Sequence, residues 1–90
     1  MIQTKYTLAP QVDLQGDEPG GRVMIDTYSA TLFACNETAW ALLEALREGA
    51  SIDDLVATAR ANFEVAEDEV RQEALALVHR LSATGLVDDG

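Results

Sequence analysis

The chain is predicted to adopt an α+β, winged-helix-like fold. A three-stranded antiparallel sheet within about residues 5–34 is followed by three helices within about 36–84. Three observations predict it. At Asn36 the hydrophobic period changes from about two, the strand repeat, to about 3.6, the helix repeat. Before Asn36, short apolar runs are separated by turn-forming clusters, as in a meander or hairpin of antiparallel strands. After it, two of the three periodic segments begin on a capping residue, and Gly49 and Gly85 end the first and the third.

The elements follow in order. In "KYTLAPQVDLQ", Tyr6 and Leu8 alternate with polar neighbours, and so do Val12 and Leu14, but Pro10 lies between the pairs. Proline has no amide proton to give a ladder, so the run reads as a short edge segment and then a strand over 11–15. "GDEPGG" at 16–21 is a turn cluster, and "RVMID" at 22–26 has strand length. "TYS" makes a second turn, and "ATLFA" at 30–34 is the third strand. Alternation on that strand places Leu32 inside with Ala30 and Ala34, and Thr31 and Phe33 on the other face.

The first helix opens on Asn36, whose side chain suits an orphan backbone N–H, and Glu37 complements the helix dipole. Ala39, Leu42, Leu43 and Leu46 form its stripe, and Gly49 is the stop. Cys35 and Trp40 stand at the spacing of a hydrophobic staple, a structural use for both. The second helix begins at Ser51 with Asp54 three residues on, a variant of the capping box. Its stripe is Ile52, Leu55, Val56, Ala59 and Phe63. The third runs over about 67–83 behind Ala66, a poor cap. Glu69 is placed to reach back to the cap, and Val65 with Val70 to form a staple. Val70, Ala74, Leu77 and Leu81 make its main stripe, widened by Leu75 and Val78. After Gly85, Leu86 and Val87 pack back on the domain. Residues 1–90 read as one domain, with no linker or repeat.

Charge and chemistry narrow the function. Sixteen Asp and Glu against six Lys and Arg give a net charge of −10, which repels nucleic acid and anionic membrane surfaces and suits neutral or basic partners. The single cysteine allows neither an intrachain disulfide nor a cysteine metal cluster. "MIQTKYTLAP" lacks the apolar core of a signal peptide, and no apolar run approaches the ~20 residues that span a bilayer, so a cytoplasmic location is expected. His79, the lone histidine, reads as an ordinary polar residue on a helix. Cys35 has no other histidine to serve as a base. "EVAEDEV" at 64–70 lacks the regular oxygen spacing and internal glycine of a calcium loop, and "GG" at 20–21 is followed by neither Lys-Ser/Thr nor a helix. No catalytic residue, metal site or cofactor is expected. Binding remains. An open sheet edge beside a helix can accept an extended peptide as an added strand.

Taken together, "LFACNETAWALLEALREGASIDDLV", "FEV" and "LVHRLSATGLV" resemble the PqqD-like family, named for pyrroloquinoline quinone synthesis protein D. "VMIDTYSATLFACN" resembles the hairpin that leads to the family's helical asparagine, and the likeness spans about 5–87. Each motif is short; their order and spacing carry the resemblance. Cys35 stands where the family more often has Leu, and Ala66 replaces a usual capping residue.

The resemblance implies a RiPP recognition element, a domain that binds the leader of a ribosomally made precursor peptide and presents it to a modifying enzyme. That enzyme is often a radical S-adenosylmethionine protein, or a leader peptidase in lasso-peptide systems. It implies that the leader adds to the third strand and lies against the third helix. The groove would then involve Ala30, Thr31, Leu32, Phe33 and Ala34, with Arg71, Leu75, Val78 and His79 from the helix. Asn36, Trp40 and Gly49 match the motif in structural roles. The competing readings are a winged-helix DNA-binding regulator, a recognition fold kept only as an enzyme scaffold, and a small enzyme or metal carrier using Cys35 and His79. The DNA reading predicts a basic recognition helix. The third helix instead carries Glu67, Asp68, Glu69 and Glu73 against Arg71 and Arg80. Dimerisation through a free sheet edge stays open.

Overall fold

The structure, a computed structural model, describes residues 4–16 and 21–89. Most of the expected turn cluster at 16–21 lies outside the described residues. The elements are β1 (Tyr6–Leu8), β2 (Val12–Gln15), β3 (Val23–Asp26), β4 (Thr31–Ala34), α1 (Glu37–Glu48), α2 (Ile52–Asn62), α3 (Glu67–Ala83) and β5 (Val87–Asp89). The predicted three-stranded antiparallel sheet is present, in the order β2-β3-β4, and three helices follow it.

The N-terminal edge segment takes a different place from the one its position in sequence suggests. β1 does not join the sheet. It pairs with β5 as a separate antiparallel ribbon, with Leu8 opposite Val87. The Val12 amide donates to the Ala9 carbonyl at 3.0 Å, closing a turn around Pro10 that redirects the chain before β2. The Tyr6 and Ala50 backbones exchange hydrogen bonds at 2.8 and 2.9 Å, so the same segment clasps the α1–α2 junction. Leu86 and Val87 are buried by this closure, as expected of a segment folding back.

The helices start and stop where local chemistry directs. The Ala39 amide donates to Asn36 Oδ1 at 2.8 Å. Ser51 and Asp54 form a complete capping box, with the Asp54 amide on Ser51 Oγ at 3.1 Å and the Ser51 amide on Asp54 Oδ2 at 3.0 Å. Those bonds stabilise the carboxylate and hold the Asp54 carboxyl below its ordinary value. Gly49 ends α1 at φ +100°, a conformation costly for any residue with a Cβ. Ala66 gives no side-chain cap, and Glu69 does not reach back to it. Ion pairs instead tie the first turn of α3, from Glu67 to Arg60 at 3.0 Å and to Arg71 at 3.6 Å.

One apolar cluster joins the layers. Leu42, Leu43 and Leu46 of α1 meet Leu55, Val56 and Ala59 of α2 and Val70, Ala74, Val78 and Leu81 of α3. Met24 enters from the sheet, and Val12 and Leu14 pack beside it. Each fully buried leucine contributes about 1.5–3 kcal/mol of transfer free energy. Leu75, expected to widen the α3 stripe, is instead 51% exposed.

Candidate functional site

β4 is an edge strand. β3 lies on one side of it and no described strand on the other, and all four of its residues are exposed. The hairpin before it is locked by side chains. Asp26 accepts from the Tyr28 amide at 3.1 Å and from Ser29 Oγ at 2.9 Å, while the Thr27 hydroxyl reaches the Gln11 carbonyl at 2.7 Å. Ala30 belongs to this turn and not to the strand: its φ is +56°, in the left-handed region.

The ladder fixes which groups the edge offers. The Cys35 amide donates to the Arg22 carbonyl at 3.0 Å, beyond the registered pairs Ala34–Val23, Phe33–Met24 and Leu32–Ile25. In an antiparallel pair, hydrogen-bonded and non-bonded positions alternate. Phe33 and Thr31 are therefore the bonded positions, and the N–H and C=O of Leu32 and Ala34 point out along the open edge.

The same register reverses the facing expected for this strand. Phe33 stands opposite Met24, which is 4% exposed and part of the core, so Phe33 and Thr31 lie on the helix side. Leu32, paired with Ile25, lies on the outer face and is 64% exposed. Phe33 is 37% exposed, half in and half out at the rim of the helical layer.

Where β4 runs into α1, a depression of about 200 Å³ opens against α3. Asn36, Ala39 and Leu42 form its α1 wall, and Glu73, Ala76, Leu77 and Arg80 its α3 wall. These four α3 residues differ from the ones expected. Arg71 turns to the other flank, where it donates to Asp53 Oδ1 at 2.8 Å and lines a hollow between α2 and α3. That hydrogen bond raises the Arg71 guanidinium pKa above its already high value. Val78 is buried in the core, so it cannot line a surface groove. Leu75 and His79 are exposed on the outer face of α3. At 100° per residue, Glu73 and Arg71 stand about 200° apart around the helix.

Cys35 lies at the junction. Its thiol contacts the Phe33 carbonyl at 3.5 Å, and partial burial pushes its pKa up, only partly offset by a hydrogen bond from the Met24 backbone. This is the reverse of an activated nucleophile. Among the described residues, no group of three or more His, Cys, Asp or Glu is arranged to hold a metal, and no helix is long and apolar enough to cross a membrane.

Residues 21–87 match the family model described as coenzyme PQQ synthesis protein D, PqqD. The chain belongs to the PqqD family. The match begins just before β3 and ends in β5, so it contains β4, α1 and both walls of the depression. No curated protein matches the chain in sequence. Among solved structures, a chain described as lasso peptide synthetase B1 complexed with the leader peptide superposes with a TM-score of 0.74. The alignment covers 92% of this PqqD-family chain and 96% of the other, at 24% identity. The two share a fold, and β1 and β2, which lie outside the family match, are part of what the PqqD-family chain builds around it.

Proposed function

We propose that this PqqD-family protein captures the leader segment of a ribosomally made precursor peptide as a strand on β4 and presents it to a modifying enzyme. The open β4 edge is the observation that carries this role. Leu32 and Ala34 supply the outward backbone donors and acceptors, which give affinity without regard to sequence. Every second side chain of an added strand would point toward α3. There Ala76 and Leu77 offer apolar contact, and Glu73 and Arg80 flank them with opposite charges, while Phe33 offers its half-covered ring on β4 itself. The fold shared with a protein described as bound to a leader peptide supports the role. So does the locked 26–31 hairpin, because a preformed edge lowers the ordering cost of capturing a flexible peptide.

The contact set is thus Thr31, Leu32, Phe33 and Ala34 with Glu73, Ala76, Leu77 and Arg80. Arg71 and Val78 drop out, the first tied to Asp53 and the second buried. Ala30, Leu75 and His79 fall outside the groove. In this role the chain works as one recognition domain over 1–90. It is a non-catalytic adaptor in the cytoplasm, and a radical S-adenosylmethionine enzyme or a leader peptidase acts on the captured peptide.

An isotope-labelled NMR titration with the leader of a precursor peptide encoded nearby tests the role. The expected shifts concentrate at Thr31–Ala34 and along Glu73–Arg80. Shifts confined to the Asp53–Arg71 flank, or a spectrum that does not move, would count against it.

A further inference from the structure

α1 has a second exposed flank, turned away from the α1–α3 depression. Glu37, Trp40, Ala41, Glu44, Ala45 and Glu48 succeed one another along it at helical spacing. They form one wall of an open groove of about 700 Å³, closed on the far side by Phe63 at the end of α2. Ala41 and Ala45 line it between the acidic side chains, and so do two half-buried aromatic residues, Trp40 and Phe63.

Trp40 is held from behind. Its ring lies so close to Gly16 that a Cβ there would stand 2.6 Å from Cζ2. A ring fixed in this way is a preorganised contact surface, since little rotamer freedom is lost when something binds to it. The charges around it are unbalanced. Glu37, Glu44 and Glu48 form no ion pair with any described residue, and Arg22 is the groove's lone cation. Glu44 and Glu48 are four apart on one face, a repulsive spacing, and among the described residues no ion pair forms with either.

We infer that this groove is a docking surface for a cationic, apolar-anchored segment of a second protein. On the adaptor role proposed above, on which this assignment of the partner rests, that protein is the enzyme that receives the captured peptide. Charge complementarity selects the occupant. Three unpaired carboxylates around two aromatic rings match Lys or Arg side chains flanking a Leu- or Met-sized anchor. Geometry makes the two sites compatible. The leader depression uses the Asn36–Ala39–Leu42 flank of α1 and the docking groove uses the Glu37–Trp40–Glu44 flank, so α1 is the wall between them and both fill at once.

Trp40 is the protein's single tryptophan, so its emission reports the groove directly. The probe is a short synthetic amphipathic peptide of Lys, Leu and Ala, titrated beside a control in which Glu replaces each Lys. The basic peptide is expected to change Trp40 emission, and the acidic one is not. The double variant Glu44→Lys, Glu48→Lys should weaken the basic peptide about tenfold or more. The double variant Asp68→Lys, Glu69→Lys on α3 changes the net charge equally, from −10 to −6 (−10 plus four), and should leave binding within about twofold. Equal weakening by both variants would reduce the effect to bulk charge and overturn the proposal. So would an emission that never moves, or equal binding of the two peptides. The leader titration, repeated on the Glu44/Glu48 variant, separates the two readings. Retained leader capture with lost probe binding supports two sites. A wild-type protein that binds the probe and ignores leaders leaves the groove standing and removes the adaptor role.

Discussion

Phe33 and Met24 stand directly opposite each other across β4 and β3, and the pair turns Phe33 toward the helices. Leu32, its neighbour, therefore offers its backbone to the open edge and its side chain to solvent. The candidate site is at once a backbone edge and a half-covered aromatic, and the two can be broken separately.

Leu32→Pro removes an amide that points outward and forms no ladder bond. Proline is tolerated on an edge strand in that position. The variant should keep its melting temperature within a few degrees and lose leader capture. Phe33→Pro removes a ladder amide and the half-buried ring, and should lower the melting temperature clearly more than Leu32→Pro does, since a proline there deletes a ladder hydrogen bond. Thermal melts with leader titrations of both variants check this. Capture retained by the folded Leu32→Pro protein would move the binding edge elsewhere.

Asn36→Ala removes the acceptor of the Ala39 amide at the start of α1. Cap loss of this kind costs about 1 kcal/mol. In a domain this small that is a fall of roughly 4–8 °C in melting temperature. A differential scanning calorimetry trace that overlays the wild type would show that Asn36 does not cap α1 in solution.

Much of the helical layer is legible in sequence because caps are local. Asn36, Ser51, Asp54 and Gly49 each act within a few residues, and their chemistry fixes helix ends whatever surrounds them. The partner of β1 is not legible, because β5 lies some eighty residues away in sequence and no local pattern records such a pairing. The facing of β4 was reversed for a different reason. "TLF" carries large apolar side chains on both faces, so alternation alone does not choose, and the choice is made by the turn in which Ala30 takes φ +56°. Which flank of α3 lines the depression is not legible in sequence, because Val70, Ala74, Leu77 and Leu81 form a stripe with two similar flanks. Tertiary packing decides that Glu73 and Arg80 face the start of α1 and that Arg71 faces α2. The Asp53–Arg71 pair joins two helices that sequence treats separately.

Gly16→Ala tests whether Trp40 is clamped. The new methyl group would overlap the indole unless the ring moved. Overpacking of a fitted contact costs about 1–3 kcal/mol. The expected result is a lower melting temperature with red-shifted tryptophan emission, as the ring is pushed toward water. Unchanged emission would mean that the ring does not rest on Gly16.

The capping box makes a pH prediction whose sign follows from Asp54. Its carboxyl is lowered below the ordinary 3.8, first by the hydrogen bond from the Ser51 backbone and then by the Ser51 side chain. The folded state therefore binds this proton less readily than the unfolded state. The stabilisation is fully present above the unfolded value and is lost as pH falls through the folded one. Asp54→Ala has no carboxyl to titrate. The melting temperature difference between wild type and Asp54→Ala should be constant from neutral pH down to about 5 and should shrink at pH below about 4. A difference that stays constant through the acid range would mean that the Asp54 carboxylate contributes nothing to the box, and that Ser51 caps α2 alone.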